Sequence, residues 1–410
     1  MMKDVAAHTR VEPKIRVEEL QQFAQKVNRD EETAKLLKDW SIILADQPLR
    51  VEGIQLAAPT LHYRNKPINK SADWSRDMRD GQLVEAKDLN DRCWMILHTG
   101  SHRGLANELA GNLRKVGGGA GIRVEEPLFI ALRDDHTESF LDEIKRNVVR
   151  EGSGATTMIV CILPTPKKDR YDAIKHLCCH ELGIPSQCVV AKTLERSNLS
   201  VATKISQQMN CKMGGQLWAI NDVPPSSMVI GIDVNHDTSR AHGRRSVAGF
   251  CASTNDLFTK YYSETSFQGV GQELVDGLKS FMSRALQEYN RVNSTLPAWI
   301  FIFRDGVGDG MLPAVLEHEV TQITAVCDAI YAQTPIVPKY CFIVVKKRIH
   351  TRLFATQGTS IDNPPPGTVL STHAVTGDKD FFLVSQSVNQ GKPDQPLLPP
   401  FSTHSGYQEL

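Results

Sequence analysis

The chain has 410 residues, 41% of them hydrophobic and 23% charged, a balance that excludes extended disorder and fits two or three globular domains. Lys+Arg and Asp+Glu each number 47, so the formal net charge is zero and any nucleic-acid contact must be a local basic patch. Apolar runs such as residues 158–163 are far shorter than the ~18 residues of a membrane span, and the start MMKDVAAHTR lacks the apolar stretch of a secretory signal.

Along the chain, residues 17–40 read as one helix, 41–45 as a strand, 50–63 as one or two more, and 64–82 as a loop. From 91 the pattern alternates. Strands are predicted at 93–98, 128–132, 157–163 and 187–192, with helices at 104–116, 138–150, 169–182 and 201–209. Alternation of this kind predicts a parallel sheet covered on both faces, whose ligands sit beyond the carboxyl ends of the strands. Gly117-Gly118-Gly119-Ala120-Gly121 follows a helix and precedes a strand, the reverse of a phosphate-cradling loop, and reads as a flexible connection. After Gly214-Gly215 come strands at 227–233, 247–253 and 258–265, a helix at 271–290, a strand at 299–303, a helix at 311–332 and a strand at 340–345. Three strands, helix, strand, helix, strand is the order of a ribonuclease-H-like α/β domain. Nine cysteines without a CxxC pair read as reduced thiols of the cytosol or nucleus, without a zinc site or disulfide framework.

Two groups of residues carry chemistry. Asp233 ends the strand MVIGID and Asp305 follows WIFIFR, so two carboxylates could meet above one sheet and serve Mg²⁺, which prefers oxygen ligands. A turn role for each is the plain alternative. Tyr171 and Lys175 are four apart on a predicted helix and share a face, Gln187 opens the next strand, and Lys212 precedes the glycine pair. Between Arg150 and Gly215, nine Lys/Arg stand against five Asp/Glu. That suits a nucleotide whose base stacks and whose phosphate takes charge-assisted bonds, although a solvated helix face has the same composition. Lys346, Lys347, Arg348, His350 and Arg352 form a basic run after YCFIVV, fit for backbone phosphates or for a solvated strand end. Cys178-Cys179-His180-Glu181 and Glu317-His318-Glu319 lack metal-ligand spacing and read as structural.

The segments GIDVNHD, FRDGVGDG, VVKKRIHTRLF, NPPPGTV and DFFLVSQSVNQG, in this order, resemble the C-terminal half of the Argonaute/PIWI family, in its PIWI clade. The resemblance runs over nearly all of residues 1–391. It implies a linker region over 1–90, a Rossmann-like MID domain over 91–215, a ribonuclease-H-like PIWI domain over 216–391 and a divergent tail over 392–410, with the family's N-terminal and PAZ domains outside the chain. By resemblance, Asp233, Glu273 and Asp305 match three members of a catalytic tetrad, with Asp233 and Asp305 as Mg²⁺ ligands. Glu273 by itself reads only as an acid in a first helical turn. Tyr171, Lys175, Gln187, Gln208 and Lys212 match positions that bind a guide RNA's 5′ phosphate and first base, with a bound Mg²⁺ helping to neutralise the phosphate. Lys346, Lys347, Arg348 and Arg352 match the guide channel. The fourth tetrad member, a His beyond DFFLVSQS, has no match, because the resemblance stops at Gly391; His404 stands in unlike context and His373 precedes the segment. The Pro-rich tail is expected to be extended and poorly packed. The resemblance implies a small guide RNA, a complementary target RNA and protein partners, no membrane, and a cytoplasmic or nuclear place. Two functions follow: Mg²⁺-dependent guided cleavage of RNA in gene or transposon silencing, or RNA binding without cleavage.

Overall fold

A computed structural model describes residues 11–70, 74, 77–152, 154–195, 199–236, 245–347, 349–358, 360–371, 380–386 and 400–404. The chain divides into two compact units. One gathers residues 60–70 and 74–222; the other gathers the described residues up to 59 and from 223 onward.

The first unit is built on a four-stranded, all-parallel sheet in the spatial order Leu128–Leu132, Trp94–Thr99, Met158–Leu163, Ser186–Val190. Trp94–Thr99 and Met158–Leu163 are the central strands and are buried at every position. Such strands are continuous apolar runs, because both faces are covered. Alternate residues feed opposite cores. Trp94, Ile96, Met158, Val160 and Ile162 pack with Leu109, Leu113, Ile205 and Met209 of the helices Arg103–Ala120 and Leu199–Lys212. Met95, Leu97, Ile159, Cys161 and Leu163 pack on the other face with Phe140, Ile144, Ile174 and Leu177. A small sheet of Thr60–His62, Pro67–Asn69 and Ala219–Ile220 carries its own cluster of Leu61, Tyr63 and Ile68 beside Trp74 and Trp218.

The second unit holds a nine-stranded sheet, ordered Ile54–Gln55, Thr368–Leu370, Asp380–Leu383, Pro400–His404, Lys339–Val345, Trp299–Asp305, Ser227–His236, Ser246–Ser253, Tyr261–Gln268. Its last five strands, counted in chain order from Ser227, run 5-4-1-2-3 across the sheet. The first three pair antiparallel, and Trp299–Asp305 joins Ser227–His236 and Lys339–Val345 in parallel. This is the expected ribonuclease-H-like arrangement. Met228, Ile230, Ile232, Phe250, Ile300 and Ile302 form one core with Phe281, Met282 and Leu286 of the helix Leu278–Asn293 and with Ile323 and Cys327 of the helix Thr321–Tyr331.

Several sequence expectations are corrected. The single helix expected over 17–40 is two, Pro13–Arg29 and Glu31–Asp39. Asp30 leaves the helical region and its side chain accepts from the Thr33 N–H at 2.8 Å, capping the second helix. Residues 41–45 form no strand. The run Gly117–Gly119 is helical, not a loop: the helix ends only after Ala120, with Gly121 at φ +80° as its left-handed cap. Gly117 is buried there, and a Cβ would lie 2.8 Å from the Ile122 carbonyl oxygen. The helix expected from 271 begins at Leu278, so Glu273 precedes it rather than sitting in its first turn. Within the tail expected to be poorly packed, Pro400–His404 is a strand paired on both sides, with Lys339–Val345 and Asp380–Leu383. The rest of that tail and His373 lie outside the described residues.

Candidate functional site

In the first unit the phosphate candidates converge. The helices Lys168–Lys175 and Leu199–Lys212 run back against the parallel strands, so their last turns reach the amino end of the sheet. Lys175 and Lys212 both stand in those last turns, where the negative end of the helix dipole favours a cation. They come from opposite faces of the sheet and meet at Ser186, the first residue of an edge strand. Pro185 turns its carbonyl inward to the Ile159 N–H, so by alternation the Ser186 carbonyl points outward. That oxygen accepts from Lys175 Nζ at 2.6 Å and from Lys212 Nζ at 3.0 Å. Lys175 also donates to Ser186 Oγ at 2.8 Å, and Lys212 to Gln187 Oε1 at 2.7 Å. Gln187 in turn donates from Nε2 to Gln208 Oε1 at 3.0 Å. The Tyr171 ring is 5.6 Å from Lys175 Nζ and 45% exposed, open to a stacking partner.

All five residues singled out in this region therefore form one cluster. It sits at the amino end of the sheet, whereas parallel sheets of this kind were expected to bind beyond the carboxyl ends. Burial, and then the neighbouring Lys175 ammonium, hold the Lys212 pKa below the usual lysine range. Two like charges at one carbonyl oxygen are relieved by an anion, and the amides of Gln187 and Gln208 add hydrogen-bonding capacity. Ser186 is the member that sequence reasoning missed. A small polar residue at a strand start carries no signal of its own; only the position next to Gln187 could have drawn attention to it.

In the second unit the carboxylates gather at one sheet edge. Ser227–His236 and Trp299–Asp305 are parallel neighbours with Ile232 opposite Arg304, so Asp233 and Asp305 follow at the same level. Glu273 reaches this edge from the segment before the helix. Its Oε1 accepts from Arg304 Nη2 at 3.0 Å, and its Oε2 lies 2.8 Å from His236 Nε2. Arg304 is fully buried and also bonds the equally buried Glu319, Nε to Oε2 at 2.9 Å. Burial by itself would lower the Arg304 pKa, but the bonds to Glu319 and Glu273 outweigh it and raise it. Glu319 Oε1 accepts the Val275 N–H at 2.9 Å, and Arg304 Nη2 donates to the Glu273 carbonyl at 2.7 Å. The buried pair thus pins both the side chain and the backbone of the Glu273 segment.

Arg304, Glu319 and His236 went unnoticed as members of this site. The alternation of WIFIFR does place Arg304 on the inward face with Ile300 and Ile302, which was the available signal. Glu319 is structural, as expected, and lies in the π-helical turn Leu316–Val320.

Lys347 is ion-paired with Asp305, Arg352 is exposed and donates to the Ile349 carbonyl at 3.1 Å, and Arg348 lies outside the described residues. A metal fits the two aspartates by donor chemistry, since carboxylate oxygens suit Mg²⁺ and the Lys347 ammonium shows that Asp305 draws a cation. Glu273 is turned instead to His236 and Arg304, and among the described residues no three His, Cys, Asp or Glu groups converge closely enough to hold a metal ion. In the strand Pro400–His404, Phe401 is opposite Val345 and so level with Asp305, while His404 is opposite Phe342, three residues further from that edge.

The parallel four-stranded sheet and the 5-4-1-2-3 strand order of the larger one are the fold of a MID–PIWI type of protein. The Piwi domain model matches residues 158–397. Piwi-like protein 1 of Gallus gallus is 39% identical over 397 residues, 95% of this chain and 44% of its own length. The crystal structure of Drosophila Piwi superposes with a TM-score of 0.81 at 27% identity, over 98% of this chain and 54% of that one. A Kluyveromyces polysporus Argonaute with a guide RNA superposes at 0.71 and 18% identity, over 92% of this chain and 50% of its own, which reflects a shared fold. The chain belongs to the Argonaute/PIWI family, in its PIWI clade, and corresponds to the C-terminal half. It spans less than half the length of the curated relatives it matches.

Proposed function

We propose that this chain holds the 5′ phosphate and first base of a small guide RNA in the cluster of Tyr171, Lys175, Gln187, Gln208 and Lys212, within a MID domain over about 91–215. The observation that carries the reading is the convergence of two lysines, from opposite faces of the sheet, on Ser186. A terminal phosphate supplies the anion these charges lack, and Tyr171 offers a ring for the first base. The guide would pair with a complementary RNA in the service of gene or transposon silencing, in the cytoplasm or nucleus. No helix among the described residues is long and apolar enough to cross a membrane.

Cleavage is the finer part of the proposal. Asp233 and Asp305 would hold Mg²⁺, which when bound activates a water and stabilises the leaving 3′ oxygen. Arg304 and His236 hold Glu273 at the same edge, and Lys347 keeps a positive charge beside Asp305, close to where a scissile phosphate would lie. One observation favours the second reading, binding without cleavage: the strand position level with Asp305 is Phe401 rather than a histidine.

The test is RNA binding by fluorescence anisotropy. A short RNA with a 5′ phosphate should bind more tightly than the same RNA with a 5′ hydroxyl, and Lys175→Ala should erase the difference. Equal binding of both RNAs by a folded chain would refute the pocket. Mg²⁺-dependent cutting of a complementary strand, lost in Asp305→Asn, would decide for the nuclease; binding without cutting would decide for the second reading.

A further inference from the structure

Cys161 and Cys188 lie directly opposite one another on the neighbouring parallel strands Met158–Leu163 and Ser186–Val190. Both side chains belong to the same face of the sheet: Cys161 is fully buried in its core, and Cys188 is half-buried against that core. Neighbouring strands are ~4.8 Å apart, within the ~4.4–6.8 Å between Cα atoms that a disulfide spans. Each thiol acts on the other's pKa, Cys161 being raised and Cys188 lowered. We propose that Cys161 and Cys188 are a redox pair, an oxidation site for hydroperoxides that closes to a disulfide beside the lysine cluster.

The roles of the two sulfurs follow from their surroundings. Cys188 is half-buried and so has a side open to solvent; after the effect of Cys161, burial opposes its thiolate, while the Lys175 and Lys212 ammonium groups favour it. Thiolate is the form that attacks a peroxide. Cys161 is sealed in the core, out of reach of a peroxide, and its pKa is pushed up, first by Cys188 and then by burial, so it reacts second. Cys178, the third thiol nearby, is pushed up to about 11 by burial and stays protonated.

In the first step the Cys188 thiolate attacks one peroxide oxygen, the O–O bond breaks, and the departing oxygen leaves as hydroxide or alkoxide and takes up a proton. Cys188 is then a sulfenic acid. In the second step the Cys161 sulfur attacks the Cys188 sulfur, the S–O bond breaks, and water leaves with the Cys161 proton. Two thiols lose two electrons in all, and the peroxide gains them. The bridge ties the edge strand that carries Ser186 and Gln187 to its inner neighbour.

The experiment uses the full chain without RNA, so its outcome is independent of guide binding. The protein is treated with hydrogen peroxide, free thiols are blocked with N-ethylmaleimide, and the unreduced chain is digested with trypsin and a glutamyl endopeptidase. Cutting after Glu181 separates Cys178 and Cys179 from Cys188. Mass spectrometry should find a cross-linked pair of peptides holding Cys161 and Cys188, released by dithiothreitol. The pair should be absent from Cys188→Ser and retained in Cys178→Ser. Cys161 recovered as the maleimide adduct while Cys188 is oxidised to sulfinic or sulfonic acid would overturn the proposal. A cross-link from Cys188 to Cys178 would overturn it equally.

Discussion

Lys212 is the residue whose titration the pocket should report. Its pKa is held below the ordinary lysine range by burial and by Lys175. A charged Lys212 favours an anion, so 5′-phosphate affinity is full below that lowered pKa and is lost as pH rises through it, earlier than an unperturbed lysine would allow. Anisotropy titrations from pH 7 upward should show this loss, and Lys212→Arg should carry tight binding to higher pH. Truncation is a separate test. Hydrogen bonds to charged groups contribute about 1.5–3 kcal/mol each, so Lys175→Ala should weaken binding of a 5′-phosphorylated RNA about 10–100-fold and leave a 5′-hydroxyl RNA nearly unchanged. The sequence made these side chains visible because Lys175 is charged and shares a helix face with Tyr171, and Lys212 adds a charge just before the glycine pair. It could not show that they meet, since their contact depends on which faces of a sheet two separate helices cover.

Among elements, the buried pair of Arg304 and Glu319 makes the sharpest claim. It links the strand Trp299–Asp305, the π-helical turn Leu316–Val320 and the backbone at Val275. Removing one partner of a buried ion pair typically costs about 3–5 kcal/mol, because the other charge is left uncompensated. Glu319→Ala should therefore lower the unfolding free energy of the second unit by that amount, seen as a lower urea midpoint at unchanged slope, and Arg304→Met in the same chain should restore part of it. A Glu319→Ala chain as stable as the parent would show that Arg304 is satisfied by Glu273 alone. The strands themselves were legible: the continuous apolar runs at 94–99 and 158–163 and the alternation at 299–305 hold to within a residue or two. The helix through Gly117–Gly119 was not. Glycine's backbone freedom argues for a loop, but the close approach of Ile122 and Val124 leaves no room for a Cβ at Gly117, and packing overrides propensity. The start at Leu278 was missed for a related reason. The preceding residues are held by tertiary bonds to Arg304, Glu319 and Gln322 that no local pattern encodes.

For the whole molecule, the two units predict a localised response to ligand. Saturating 5′-phosphorylated RNA at about 100 times its Kd should stabilise the unit that binds it by about 2.7 kcal/mol. Hydrogen exchange should slow most at Ser186–Val190 and Leu199–Lys212, where the cluster is anchored. Protection confined to the nine-stranded sheet would place the phosphate elsewhere. The nine-stranded sheet also has a reach that the other lacks. Ile54 pairs with Val369, so one sheet joins residues more than three hundred positions apart. Everything the first unit requires lies between residues 60 and 222. As the chain leaves the ribosome, that unit can close while the Ile54–Gln55 strand still waits for a partner not yet translated. Long-range pairings are slow to form and leave strand edges open in the meantime. The early strand is only two residues long, which gives a nascent chain little edge on which to mispair.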